Sequence, residues 1–250
     1  MKAYLINLDR AADRLAHMRR EFAAVGLEFE RVPAIDGATL GADIVEDFRR
    51  NRTESKPDGW MPPEIGCFLG HFETWTRVAQ GADEWAAVFE DDVHLSKDVS
   101  ALLATTDWIP SNADIVRLEG NRSMRLANGR ALKVAPGRKV YRALSGTPGS
   151  AGYVLSRDIA AWLLEVPPRL HSIPDVFLFK PKVSAVARKL RRYQIVPALC
   201  IQDEVLHRGR NAQMKSEIRV RNTRGRGYRE HLNPLLRLWP IQRYAVPFRP

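Results

Sequence analysis

The chain has 250 residues, 45% hydrophobic and 8% aromatic, with a formal net charge of +10. That composition is ordinary for a folded protein with a sizeable core, and no solenoid or propeller repeat is present. No segment reaches the roughly eighteen apolar residues of a membrane span, and the apolar run in MKAYLINLDR is too short for a signal-peptide core; these features exclude secreted and membrane-spanning classes and predict a cytoplasmic protein.

Ala3 to Ile6 is a short apolar run and predicts a first strand. Leu15, Met18, Phe22 and Val25 recur at helical spacing, so 11–25 predicts an amphipathic helix stopped at Gly26. Phe29 to Ile35 predicts a second strand, closed by the Asp36-Gly37 turn signal. Strand, helix, strand suggests a βαβ unit and a parallel sheet. Residues 51–63 read as a loop, and Pro62-Pro63-Glu64 starts a helix running to about Gln80. Trp85 to Phe89 and Ile115 to Leu118 predict strands, and short strands follow at 131–135 and 139–144. Gly152 and Tyr153 read as a loop before a helix from Ser156, its N-cap, to Glu165. Ile195 to Ile201 predicts a late strand. Beyond His207 periodicity fades into an extended basic tail, dividing the chain into a domain at 1–206 and an appendage at 207–250. Cys67 and Cys200 sit in the apolar contexts GCFL and ALCI, outside any CxxC pair, and read as buried reduced thiols.

Charge is unevenly placed. Residues 1–179 carry 22 Lys and Arg against 25 Asp and Glu, whereas residues 180–250 carry 17 against 4. The basic excess therefore belongs to the C-terminal part. In the acidic part, AAVF runs straight into Glu90, Asp91 and Asp92. Three adjacent carboxylates repel one another unless water, basic neighbours or a cation offsets them. Strand alternation sends Glu90 and Asp92 to one side and Asp91 to the other. Hard divalent ions such as Mg²⁺ or Mn²⁺ prefer oxygen ligands and are commonly shared between carboxylates and phosphates. Alone, the trio reads first as an acidic turn facing water and only second as a site.

Its company decides between these readings. YLINLDRAADR, AIDG, EIGCFLGHFETW, AVFEDDV, DIVRLE, GSAGYVLSR, IPDVFLF and VPALCIQDE follow one another in that order between Tyr4 and Glu204. Together they resemble glycosyltransferase family 25, the lipopolysaccharide-type family, over about residues 2 to 206. The resemblance implies an α/β fold of GT-A-like, Rossmann-related type: a mixed sheet flanked by helices, with the basic C-terminal tail added. It implies inverting transfer of a hexose, galactose first, from a UDP-sugar to a hydroxyl of a lipopolysaccharide-type or other glycan acceptor, assisted by Mn²⁺ or Mg²⁺. The acidic motif then stands for the DxD-type element. Asp92 is the first metal ligand, Glu90 a second, and Glu90 or Asp91 a ribose contact; His207 is offered as a further metal ligand. Asn7, Asp9, Arg10, Arg14 and Asp36 are expected near the nucleotide, with His71, Gly152, Tyr153 and Gln202 lining the donor pocket. An inverting transfer needs a general base; Asp175 leads and Glu119 is the second candidate. Asp175 beside Pro174 reads equally as a helix cap.

The C-terminal segment interleaves arginines with Trp239, Tyr244 and Phe248, which suits an anionic membrane surface and a lipid-linked acceptor at the inner face. A nucleic-acid- or membrane-binding protein acting through this basic region is the alternative. It leaves the carboxylate trio unexplained, and the chain has no zinc-finger spacing, RNP-type motif or convincing helix-turn-helix.

Overall fold

Strand β1 (Lys2–Leu8) buries side chains on both faces: Ala3 and Leu5 enter one core, Tyr4 and Ile6 the other. A strand so covered needs a helical layer on each side, and the computed structural model supplies them. It describes residues 1–52, 54, 56–127, 131–134, 137–146, 148–207, 214 and 241–250. On the first face α1 (Ala12–Ala24) lays Met18 and Phe22 against the sheet. On the second, α3 (Pro62–Gln80) lays Phe68, Trp75 and Val78 there; α2 (Ala42–Asn51) precedes it and packs Phe48 beside them. Glu64 accepts the Met61 N–H at 2.9 Å, satisfying one donor at the start of α3.

β1 lies between β2 (Glu30–Ala34) and β3 (Trp85–Glu90), parallel to both. After β3 come β4 (Val93–Leu95), α4 (Val99–Leu103) and β5 (Ile115–Arg117). Three further strands follow, β6 (Asn121–Ala127), β7 (Leu132–Val134) and β8 (Arg138–Arg142). β9 (Gly152–Ser156) leads into α5 (Arg157–Leu164), and α6 (Pro174–Phe179) and α7 (Ala185–Lys189) come next. β10 (Arg192–Val196), β11 (Cys200–Gln202), α8 (Asp203–Leu206) and β12 (Ile241–Val246) complete the described elements. The main sheet has eight strands in the order β2-β1-β3-β9-β5-β10-β8-β7. β9 runs antiparallel between β3 and β5, and β10 runs parallel to β5. This is the expected mixed α/β sheet flanked by helices.

Three expectations are corrected. Gly152 and Tyr153 do not form a loop but open the buried central strand β9. Gly152 is favoured there because a Cβ would drive into the Cys200 Sγ. The single late strand is two: Pro197, which has no N–H for a ladder, separates β10 from β11, and β11 leaves the main sheet to pair with β4. The end of the chain does not trail away. β12 pairs antiparallel with β6, and the Ala198 N–H donates to Pro247 O at 2.8 Å. The rest of the expected tail, 208–213 and 215–240, lies outside the described residues and includes Trp239. Among the described residues, no helix is long and apolar enough to cross a membrane.

Candidate active site

The carboxyl ends of β1, β2 and β3 open onto one cavity of about 330 Å³. Open α/β sheets take ligands at such an edge. Its lining includes Asn7, Arg10, Arg14, Asp36, His71 and all three carboxylates Glu90, Asp91 and Asp92. Of the residues expected near a nucleotide, only Asp9 stays out: its exposed carboxylate pairs with Arg31 Nη2 at 2.5 Å.

The carboxylates have different partners. Asp91 accepts Asn7 Nδ2, from β1, at 2.7 Å and Arg14 Nη1, from α1, at 3.0 Å. Burial nevertheless raises its carboxyl above the ordinary range. Glu90 turns toward α3. Its Oε1 accepts the Ser150 hydroxyl at 2.8 Å and lies 3.2 Å from His71 Nε2. Burial opposes ionisation of Glu90, but the His71 contact outweighs it with help from Ser150 and Arg14, and the carboxyl is held low.

Asp92 is the uncompensated member. It is 3% exposed, and among the described residues it has no ion pair; the Gln202 amide approaches its oxygens at 3.3 and 3.5 Å. Burial and the charges on Glu90 and Asp91 push its carboxyl up to about 8. A buried carboxylate beside a second one, facing a cavity, with the Arg14 charge near but no direct ion pair among the described residues, is a donor set that fits a hard divalent ion.

Behind the cavity wall a hydrogen-bond chain fixes His71. Trp75 Nε1 donates to the Tyr153 hydroxyl at 2.9 Å, and that hydroxyl lies 2.8 Å from His71 Nδ1. With the imidazole neutral, Tyr153 donates its single proton to Nδ1, leaving Nε2–H to face Glu90. Tyr153 is fully buried, lies outside the cavity lining and meets the site through His71. Gly152 pairs with Phe89 and packs against Cys200 rather than standing in the lining. Asp36 caps the turn Gly37–Thr39 through the Ala38 N–H at 2.9 Å and accepts Arg10 Nε at 2.5 Å. That bond to Arg10 holds its carboxyl low.

Neither base candidate is in the cavity lining. Glu119 is 1% exposed, receives Arg117 Nη2 at 2.9 Å and the Ala151 N–H at 3.1 Å, and supports the loop before β9. Gly149, at φ +98°, allows that loop to pass against the pair, where a Cβ would strike the Glu119 carboxylate. Asp175 does not cap its helix. Its Oδ2 pairs with Lys180 Nζ at 2.9 Å, and its Oδ1 is buried without a hydrogen-bond partner.

His207 is not grouped with Asp92 and Glu90; it lies with His94 and Asp203. Sequence reasoning passed over two site residues. Cys67 lines the cavity one helical turn before His71, a spacing that could have placed it; burial and the nearby Glu90, Asp175 and Asp92 carboxylates raise its thiol. Ser150 precedes β9 and carried no periodic signal.

A cavity of carboxylates, arginines and an oriented imidazole at the ends of parallel strands is the candidate active site of this α/β fold. Residues 1–177 match the family described as Glycosyltransferase family 25 (LPS biosynthesis protein), and the chain belongs to that family. It is similar to the lacto-N-neotetraose biosynthesis glycosyltransferase LgtE of Neisseria meningitidis serogroup B, with 26% identity over 255 residues, covering 95% of this chain and 88% of that protein. It is also similar to the lipooligosaccharide biosynthesis protein lic2B of Haemophilus influenzae, with 25% identity over 213 residues, covering 82% and 77%. A crystal structure of a glycosyltransferase involved in glycosylation of the major capsid of PBCV-1 matches at a TM-score of 0.38 with 12% identity, covering 81% of this chain and 94% of that one.

Proposed function

We propose that the chain is an inverting, UDP-sugar-dependent hexosyltransferase, with galactose as the first donor sugar, acting on a hydroxyl of a lipopolysaccharide-type oligosaccharide. The observation that carries this reading is the uncompensated Asp92 in a cavity that also presents arginines to a phosphate. The lipooligosaccharide and lacto-N-neotetraose pathways in the names of the relatives support the acceptor class.

In this reading Arg10 and Arg14 meet the diphosphate by charge-assisted hydrogen bonds. Asp36 and Asp91 accept ribose or base donors, and Asn7 holds Asp91 in place. Asp92 and Glu90 would hold a Mn²⁺ or Mg²⁺ ion, which when bound offsets the diphosphate charge and stabilises the departing UDP. His71, set by Tyr153 and Trp75, keeps Glu90 directed at the cavity. Asp175 serves as general base, taking the acceptor hydroxyl proton as the new glycosidic bond forms and the bond to UDP breaks. The choice of Asp175 over Glu119 rests on its buried Oδ1, which has no hydrogen-bond partner among the described residues, whereas Arg117 and the Ala151 N–H fix Glu119 in the support of a loop. The enzyme would work in the cytoplasm, peripherally at the inner face of the membrane, with the basic C-terminal region meeting anionic lipid.

The test is a panel of UDP-hexoses and UDP-N-acetylhexosamines with truncated lipooligosaccharide acceptors, read by mass detection of product and by UDP release with Mn²⁺, with Mg²⁺ and with chelator. A product heavier by one hexose, formed from UDP-galactose only with the ion present, is expected. No UDP release from any donor under any condition would sink the proposal.

A further inference from the structure

A second group of metal-ligating side chains lies apart from the cavity carboxylates. His94 on β4, Asp203 at the start of α8 and His207 at its end bring their ligand atoms within 4.8 Å of one another. His94 Nε2 is 2.9 Å from Asp203 Oδ1, and His207 Nε2 is 3.4 Å from that same oxygen. Four ligands at tetrahedral bond lengths of roughly 2.0–2.1 Å stand about 3.3 Å apart. The observed separations therefore match tetrahedral edges after small side-chain adjustments. Asp203 and His207 are one helical turn apart and share a face.

Two further observations support a site rather than a chance cluster. Metal-bound imidazoles usually turn their other nitrogen to a carboxylate that fixes the ring. Glu21 Oε1 stands 3.5 Å from His94 Nδ1, while Glu21 Oε2 is itself anchored by the Leu95 N–H at 2.7 Å. Asp203 is held as well: it is 2% exposed, and its Oδ2 accepts the Met214 N–H at 2.9 Å, leaving Oδ1 toward the histidines. A cavity of about 670 Å³, lined in part by His17, His94 and Asp203, gives a path for an ion, and the half-exposed His207 leaves room for water as fourth ligand.

We propose that His94, Asp203 and His207 bind one borderline transition-metal ion of the Zn²⁺ class, at a site separate from the carboxylates of the donor cavity. The ligand chemistry makes the distinction: two imidazole nitrogens and one oxygen select Zn²⁺ over Mg²⁺, whereas an all-oxygen set selects the harder ion. The ion clamps α8 onto β4. It thereby secures the bond from the Asp203 N–H to the Asp92 carbonyl at 2.9 Å, joining the clamp to the floor of the cavity. This holds whatever sugar the enzyme transfers.

The full chain is incubated with ZnCl₂ in excess MgCl₂, freed of unbound metal by gel filtration and analysed for zinc per chain and for thermal shift. One zinc per chain and a raised Tm are expected. His94→Gln keeps a donor to Asp203 but removes the imidazole, and His207→Gln does so at an exposed position that tolerates change. Both should lower zinc affinity at least tenfold, while Asp92→Ala retains wild-type zinc. No zinc on the wild type, or equal zinc on His207→Gln, would overturn the assignment. Loss of zinc on Asp92→Ala alone would place the ion in the donor cavity and overturn it equally.

Discussion

Asp92 is buried beside two other carboxylates, and the Gln202 amide and the Arg14 charge only partly offset them, so its charge is a cost to the empty protein and an asset once a cation is bound. Asp92→Ala should lower ion-dependent turnover by at least about 100-fold while leaving the urea midpoint unchanged or raised. Asp175→Asn separates chemistry from binding. It should lower kcat by about 10²- to 10⁴-fold with UDP affinity, measured by calorimetry, unchanged. Tyr153→Phe removes the hydroxyl that joins Trp75 to His71 and leaves a buried donor and acceptor unpaired. It should cost about 1–3 kcal/mol of stability in urea unfolding. Much of the site at this scale is legible in the sequence, because Asn7, Asp36 and the EDD trio stand where apolar runs end in polar residues. The cluster of His94 with Asp203 is not, since 109 residues separate the two and no local pattern reports a fold-made pair.

Strands and helices with clear periodicity read directly: β1, α1, β2, α3 and β3 fall where alternation and helical spacing put them. The short helices α4, α6 and α7, of five or six residues, give too few turns for a period to show. β9 is hidden for a different reason. GSAGYVLS looks like a turn because of its glycines, yet Gly152 is there to let β9 pass Cys200 in a packed sheet. Gly152→Ala should therefore destabilise the protein by about 1–3 kcal/mol through overpacking. Adding Cys200→Ala should recover much of that loss. A double-mutant cycle in urea checks it, and simple additivity of the two changes would refute the contact as the cause.

For the molecule as a whole, stability should fall on acidification because of His171. Burial among Phe68, Phe72 and Phe177, aided by the Arg52 charge and opposed by the bond to Val166 O, lowers its imidazole from 6.5 to about 4. The folded state refuses a proton that the unfolded chain accepts, so this contribution is full above about pH 6.5 and is lost as pH falls toward 4. Tm measured across that range should decline, and His171→Phe should flatten the decline. The order of strands has a further consequence, during synthesis. β3 ends at Glu90 and leads into Asp91 and Asp92, and its partner on one side, β1, is made first; its partner on the other, β9, begins only at Gly152. The 62 residues from Glu90 to Gly152 take about 3–12 s at ribosomal rates of 5–20 residues per second. For those seconds an apolar strand has an open edge on a nascent chain, a natural substrate for a chaperone that shields strand edges. The strand that leads into the acidic trio thus waits seconds for its second neighbour.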